Sequence, residues 1–148
     1  MPFNENYGKN TECIHCKNKD ERRYYTESGV CTKVKSIQDN LPVRCVGNWA
    51  RDKIERLEKY FYIFTTSMKN KWDYLNYIEI CSGPGICIDR NSSNEFDGTS
   101  LSILKNKGYD HISKCIFIDN EKQVVETLNS RIGELNKTKA KAIIGDYN

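Results

Sequence analysis

Residues 77–146 constrain the chain most, because strand-like and helix-like segments alternate along them. Residues 77–81, Tyr-Ile-Glu-Ile-Cys, read as a short apolar strand that runs into Ser82-Gly83-Pro84-Gly85. Residues 99–107 have helical spacing, with Leu101 and Leu104 inward and Gly108 as a C-terminal stop. Residues 115–119 are a second apolar strand, ending in Asp119. From Glu121 to Leu135 a helix face gathers Val124, Val125, Leu128 and Ile132, and residues 142–146 form a third strand, ending in Asp146. The order β-α-β-α-β predicts right-handed crossovers and a parallel sheet.

Upstream the pattern differs. Ile54, Leu57, Phe61, Phe64 and Met68 recur at spacings of three and four, which predicts an amphipathic helix over 49–69 with Asn48 as its N-cap. Residues 1–47 are polar and without sustained periodicity, and they hold four of the seven cysteines. They are expected to form an irregular Cys-bearing extension, with 48–148 as the folded α/β unit.

Composition excludes several classes. A chain of 148 residues with 38% hydrophobic and 29% charged residues has the makings of one globular core. The N-terminus has neither the basic nor the apolar region of a secretory signal, and no apolar run reaches the roughly 18 residues of a membrane span. An odd number of cysteines without a signal suggests a reducing, cytoplasmic setting. The net charge of +3 makes no case for a nucleic-acid partner, and scattered lysines such as Lys69, Lys71, Lys137, Lys139 and Lys141 read as solvated surface.

In doubly wound sheets, ligands bind beyond the carboxyl ends of the strands. There the sequence gathers Gly83-Pro84-Gly85, Asp119 and Asp146. The glycines let backbone approach a ligand closely; an acid after the second strand can accept both ribose hydroxyls of an adenosine, and one after the third can take the adenine amino group. Glu79, inside the first strand, is an acid expected to be functional or paired. A dinucleotide site needs G-x-G-x-x-G opening a helix, so that a pyrophosphate rests on the helix N-terminus. Here the third glycine position is Ile88, and the turn enters a polar stretch, Asp89-Arg90-Asn91-Ser92-Ser93, before any helix. No G-x-x-x-x-G-K-[ST] loop occurs. An adenosyl ligand without a pyrophosphate is therefore favoured over ordinary turn glycines with solvent-facing acids.

Residues 46–53 (Val-Gly-Asn-Trp-Ala-Arg-Asp-Lys), 77–85 (Tyr-Ile-Glu-Ile-Cys-Ser-Gly-Pro-Gly) and Asp97-Gly98-Thr99-Ser100, together with Phe117-Ile118-Asp119 and Gly145-Asp146-Tyr147-Asn148, resemble the three-Cys-motif partner proteins. The resemblance spans about residues 41–148. It implies the N-terminal part of a Rossmann-like, class I methyltransferase-type parallel sheet that binds S-adenosylmethionine. Glu79, Gly83, Gly85, Asp119 and Asp146 would hold the cofactor, and Trp49 and Lys53 could close over it; the alternative for Trp49 is a core anchor. Glu79 and Cys81 stand where members often carry Asp and Phe. Members are usually longer, so the resemblance implies that this chain lacks a C-terminal half; the partner would be that half or a protein encoded nearby. Methyltransferase activity is then an analogy of fold, and no catalytic residue can be named.

Cys13-Ile14-His15-Cys16 is a C-x-x-C followed by Cys31 and Cys45. Zinc prefers two close ligand pairs, and the second pair here is split by thirteen residues. Zinc on these four cysteines, free structural thiols and redox chemistry all stay open. Of Cys81, Cys87 and Cys115, two read as small core residues, and Cys87 as a loop thiol without a neighbouring histidine. The rival to an enzyme is a non-catalytic binding or regulatory module that acts through a protein or nucleic-acid partner.

Overall fold

The computed structural model describes residues 5–13 and 30–146. It is a mixed α/β structure with two sheets. Strands β1 (Asn6–Lys9), β2 (Val30–Lys35), β3 (Pro42–Val46), β5 (Ile86–Asp89) and β6 (Asn94–Asp97) form one sheet in the order β1-β6-β5-β3-β2. It is antiparallel except where β3 pairs parallel with β5. Strands β4 (Asn76–Ile80), β7 (Lys114–Asp119) and β8 (Ala140–Ile144) form the second sheet, wholly parallel and in sequence order. Helices α1 (Trp49–Met68), α2 (Thr99–Lys105) and α3 (Lys122–Glu134) complete the chain, with a 3-10 helix at Lys107–His111.

The parallel sheet follows from its register. Tyr77 pairs with Cys115, and Glu79 with Phe117, which in turn pairs with Ala142. Alternation therefore sends Tyr77, Cys115, Phe117 and Ala142 to one face, where the last three are buried. On that face α1 supplies Phe61, whose ring meets Tyr77 edge-on at 5.4 Å between centroids. Leu128 and Ile132 of α3 join the same core. Parallel sheets are usually covered on both faces. Here the second face carries Ile78 and Ile80, 62% and 58% exposed, beside an exposed Ile143.

Three expectations are corrected. The first 47 residues are not irregular where described: β1, β2 and β3 lie there, and β3 brings Val43 and Cys45 into the core. The polar stretch 89–93 is the turn of the β5–β6 hairpin, with Asp89 accepting from the Asn91 N–H and the Ser92 hydroxyl. This hairpin stands between the glycine turn and α2. The third strand ends at Ile144, so Asp146 lies two residues beyond it and is exposed.

The helix ends differ in detail as well. Asn48 precedes α1, but its side chain makes no capping bond. Helix α2 stops at Lys105 because Asn106 turns extended, and the Asn106 side chain then accepts the Gly108 N–H at 2.8 Å. Gly108 thus lies in the first turn of the 3-10 helix and does not stop α2.

Buried acids hold the mixed sheet together. Glu95 of β6, fully buried, accepts from the Asn10 amide at 2.8 Å, the Ser36 hydroxyl at 2.7 Å and the Ile37 N–H at 2.9 Å. Asp97 accepts from the Tyr7 hydroxyl and pairs with Lys105 at 2.9 Å. Left unpaired, either carboxylate would be strongly destabilising in so dry a place.

Candidate functional site

Strand β4 leaves the parallel sheet and, within five residues, enters the mixed sheet as β5. So short a link needs unusual backbone. Cys81, Gly83 and Gly85 have φ of 55°, 69° and 99°, all in the left-handed region. Non-glycine residues are uncommon there, and Cys81 is held by neighbours: its carbonyl accepts from Arg44 at 3.3 Å. Clusters of such dihedrals are typical of ligand sites.

The turn is fastened to the next strand. The Ser82 N–H donates to the Ile118 carbonyl at 3.1 Å, and the Gly83 N–H to Asp119 Oδ2 at 3.0 Å. Asp119 Oδ1 accepts from the Glu121 N–H at 3.3 Å, at the start of α3. Gly85 accepts from the Gly98 N–H at 2.7 Å, and a β-carbon at Gly98 would stand 2.9 Å from that carbonyl oxygen. Glycine at 98 is thus required for α2 to begin against the turn.

A cavity of about 680 Å³ opens over this turn. Its walls are Gly83 and Gly85, Glu79 of β4, Arg44 and Val46 of β3, and the first two turns of α1 from Trp49 to Leu57. That volume suits a small-molecule ligand. Glu79 is half-buried in the wall and accepts hydrogen bonds from the Thr99 hydroxyl and from the Tyr77 hydroxyl, the latter at 3.0 Å. Burial pushes its carboxyl up to about 7, although the two hydroxyls and the charges of Arg44 and Lys53 pull the other way. Its neighbour Tyr77 is raised by burial and by that same carboxyl.

Of the five expected cofactor residues, the structure brings Glu79, Gly83 and Gly85 to the cavity wall. Asp119 lies behind the turn, 1% exposed, and does not line it. Asp146 is exposed after β8 and is not part of the wall. Trp49 is no core anchor: it is 65% exposed at the cavity rim, with Lys53 one helical turn further along. Arg44, Arg90 and Thr99 also line the cavity, and the sequence did not single them out. Arg44 comes from a strand that the sequence left irregular, and Arg90 from a hairpin read as loop.

Cys87 lies in β5 rather than in a loop; burial pushes its thiol up to about 12, so it stays protonated. Cys115 is fully buried and is likewise pushed up to about 12. Cys81 is the exposed one of the three. Among the expected zinc ligands, Cys31 and Cys45 sit in the apolar core and Cys13 packs against it; Cys16 lies outside the described residues. No three His, Cys, Asp or Glu side chains among the described residues are grouped to hold a metal. Among the same residues, no helix is long and apolar enough to cross a membrane.

No family model, no curated protein and no solved structure matches this chain.

Proposed function

We propose that the cavity over the Gly83–Gly85 turn binds S-adenosylmethionine, and that the chain is a methyltransferase-like protein of Rossmann type. One observation carries the reading: a left-handed glycine turn, at the carboxyl end of a strand in a parallel sheet, forms the wall of a ligand-sized cavity. The strand order β4-β7-β8 agrees with the N-terminal part of a doubly wound sheet. Two details refine the expected roles. Asp119 spends its carboxylate on two backbone N–H groups, so it shapes the turn rather than meeting a ribose. Glu79 is then the acid placed to meet the ligand. Catalysis on such a scaffold is largely a matter of positioning, with the donor methyl held against an acceptor.

Calorimetric titration of S-adenosylmethionine and its demethylated product tests this, with Gly83→Ala as comparison. A β-carbon at 83 would stand 3.1 Å from Arg44 Nη1 at a strained φ of 69°, so the turn or the Arg44 side chain in the cavity wall must shift. Heat with the wild-type chain, lost in the variant while circular dichroism is unchanged, supports the reading. No heat with the folded wild type, or equal heat in the variant, refutes it.

A second reading, a binding module without catalysis, is favoured by one observation. The isoleucine face of the parallel sheet is uncovered, which suits a chain that works against a partner. Zinc at Cys13, Cys16, Cys31 and Cys45 belongs to either reading and is tested by metal analysis of the purified protein. Less than one equivalent per chain would dismiss it.

A further inference from the structure

We propose that the mouth of this cavity receives a nucleotide of a single-stranded nucleic acid, its base stacked on Trp49 and its phosphate held by Lys53 and Arg90. This rests on the reading of the turn cavity given above, but on its walls rather than on its cofactor. Among the described residues, the charged side chains of the lining are Arg44, Lys53 and Arg90 against one acid, Glu79. S-adenosylmethionine carries one carboxylate beside its sulfonium and ammonium, so it accounts for one of the three cations and not for all of them. A phosphate accounts for the other two.

The rim supplies the second half of the argument. The Trp49 indole is 65% exposed at the first position of α1. It is not loose: its Nε1 and Cδ1 lie 2.9 and 3.0 Å from where a β-carbon of Gly47 would be, so the ring is set against bare backbone. An exposed, positioned indole is a stacking platform, and stacking accepts any base. Lys53 follows at i+4, about 5–6 Å away on the same side of the helix, which is the order of separation between a base and its phosphate. Arg90 lines the same cavity, and its backbone N–H donates to the Val46 carbonyl at 2.9 Å, just before Gly47. Stacking surface and cations therefore converge from α1 and from the β5–β6 hairpin. A protein side chain offered as acceptor would need no such platform.

The test is fluorescence anisotropy of a labelled ten-nucleotide single-stranded RNA with the full chain, across a salt series from about 50 to 200 mM. Wild type is expected to bind at low salt, with Trp49→Ala weakening the complex about tenfold or more. Lys53→Gln is expected to flatten the logarithmic salt slope by about 0.7, the value for one phosphate contact on a single strand. Gly47→Ala displaces the indole without removing it and should mimic Trp49→Ala. Competition with uridine monophosphate separates the two sources of the ligand. Displacement only at great excess supports the strand, and displacement at equal nucleotide concentration overturns the strand in favour of a free nucleotide. No binding at about 50 mM salt, or binding unchanged in Trp49→Ala and Lys53→Gln, overturns the proposal. S-adenosylmethionine titrated into the same sample tells the failures apart: heat without RNA binding leaves the cofactor reading standing, and RNA binding without heat leaves only the mouth.

Discussion

Asp119 accepts the Gly83 N–H at 3.0 Å, so the acid that ends one strand fixes the turn that ends its neighbour. With the Glu121 N–H as second donor, this carboxylate joins β7, the glycine turn and the start of α3. Asp119→Ala leaves two backbone N–H groups beside a buried site without an acceptor. It is expected to lower stability by about 2–4 kcal/mol, at about 1–3 kcal/mol for each unsatisfied group with some relaxation. Asp119→Asn keeps one acceptor oxygen and should lose less. Urea denaturation of the three proteins checks the ranking, and equal midpoints would refute it.

Gly85 is constrained from both sides. Its φ is 99°, and a β-carbon there would stand 3.0 Å from Leu101 Cγ and 3.2 Å from Leu128 Cδ1. Gly85→Ala therefore adds backbone strain to overpacking against α2 and α3, together about 2–4 kcal/mol. Thermal melts should show a clear fall in Tm. Gly133, where a β-carbon would meet nothing within 4 Å, is the control: Gly133→Ala in the last turn of α3 should raise stability, by less than the roughly 1 kcal/mol of a helix interior.

What the sequence revealed depended on how local each signal was. Helix α1, strands β4 and β7 and helix α3 were legible because their periodicity lies within one continuous segment. Strand β6 was not. Its four residues are Asn, Glu, Phe and Asp, and burying Glu95 and Asp97 makes sense only beside Asn10, Ser36, Tyr7 and Lys105. No window of sequence contains those partners. Strands β2 and β3 were hidden in the same way, since β3 finds its parallel neighbour β5 some forty residues on. The site was half legible for a related reason: glycines announce a turn, whereas two of the three cations facing it, Arg44 and Arg90, come from a strand and a hairpin that no local pattern announced. A net charge of +3 says nothing about three of them meeting at one cavity.

Glu79 gives the cavity a pH dependence. Its carboxyl is pushed from an ordinary value of 4.5 up to about 7 by burial, so the folded chain holds this proton more tightly than the unfolded one. The sign follows from linkage: its contribution to stability is fully present below about pH 4.5 and lost as pH rises through about 7. Melting temperatures of wild type and Glu79→Gln, measured over roughly pH 5 to 8, isolate this group from the other acids. Wild type is expected to lose ground to the variant as pH rises. A constant difference would mean that Glu79 does not titrate in that window.

Arg131 carries the last prediction. Although 5% exposed, it leaves α3 to grip Asp39 through two bonds of 2.7 and 2.9 Å, and it donates to the carbonyls of Pro42 and Pro84 at 2.9 and 2.6 Å. One guanidinium thus ties α3 to the entry of β3 and to the middle of the glycine turn. Burial raises the Asp39 carboxyl, but the Arg131 bonds and the Leu41 N–H outweigh it and hold it below its usual value. Arg131→Met keeps the volume and deletes the donors. Because the Asp39 side chain remains 27% exposed, the expected loss is about 2–4 kcal/mol, short of that for a fully buried pair. A lowered carboxyl contributes stability above its ordinary value of 3.8 that is lost as pH falls through the lowered one. Acid unfolding below about pH 4 should therefore show a smaller proton uptake in Arg131→Met than in wild type, by a fraction of one proton. Ligand titration of the same variant tells whether the grip on Pro84 matters to the cavity: if it positions the turn, affinity falls by more than stability alone explains, and if affinity holds in the folded fraction, Arg131 serves the fold only.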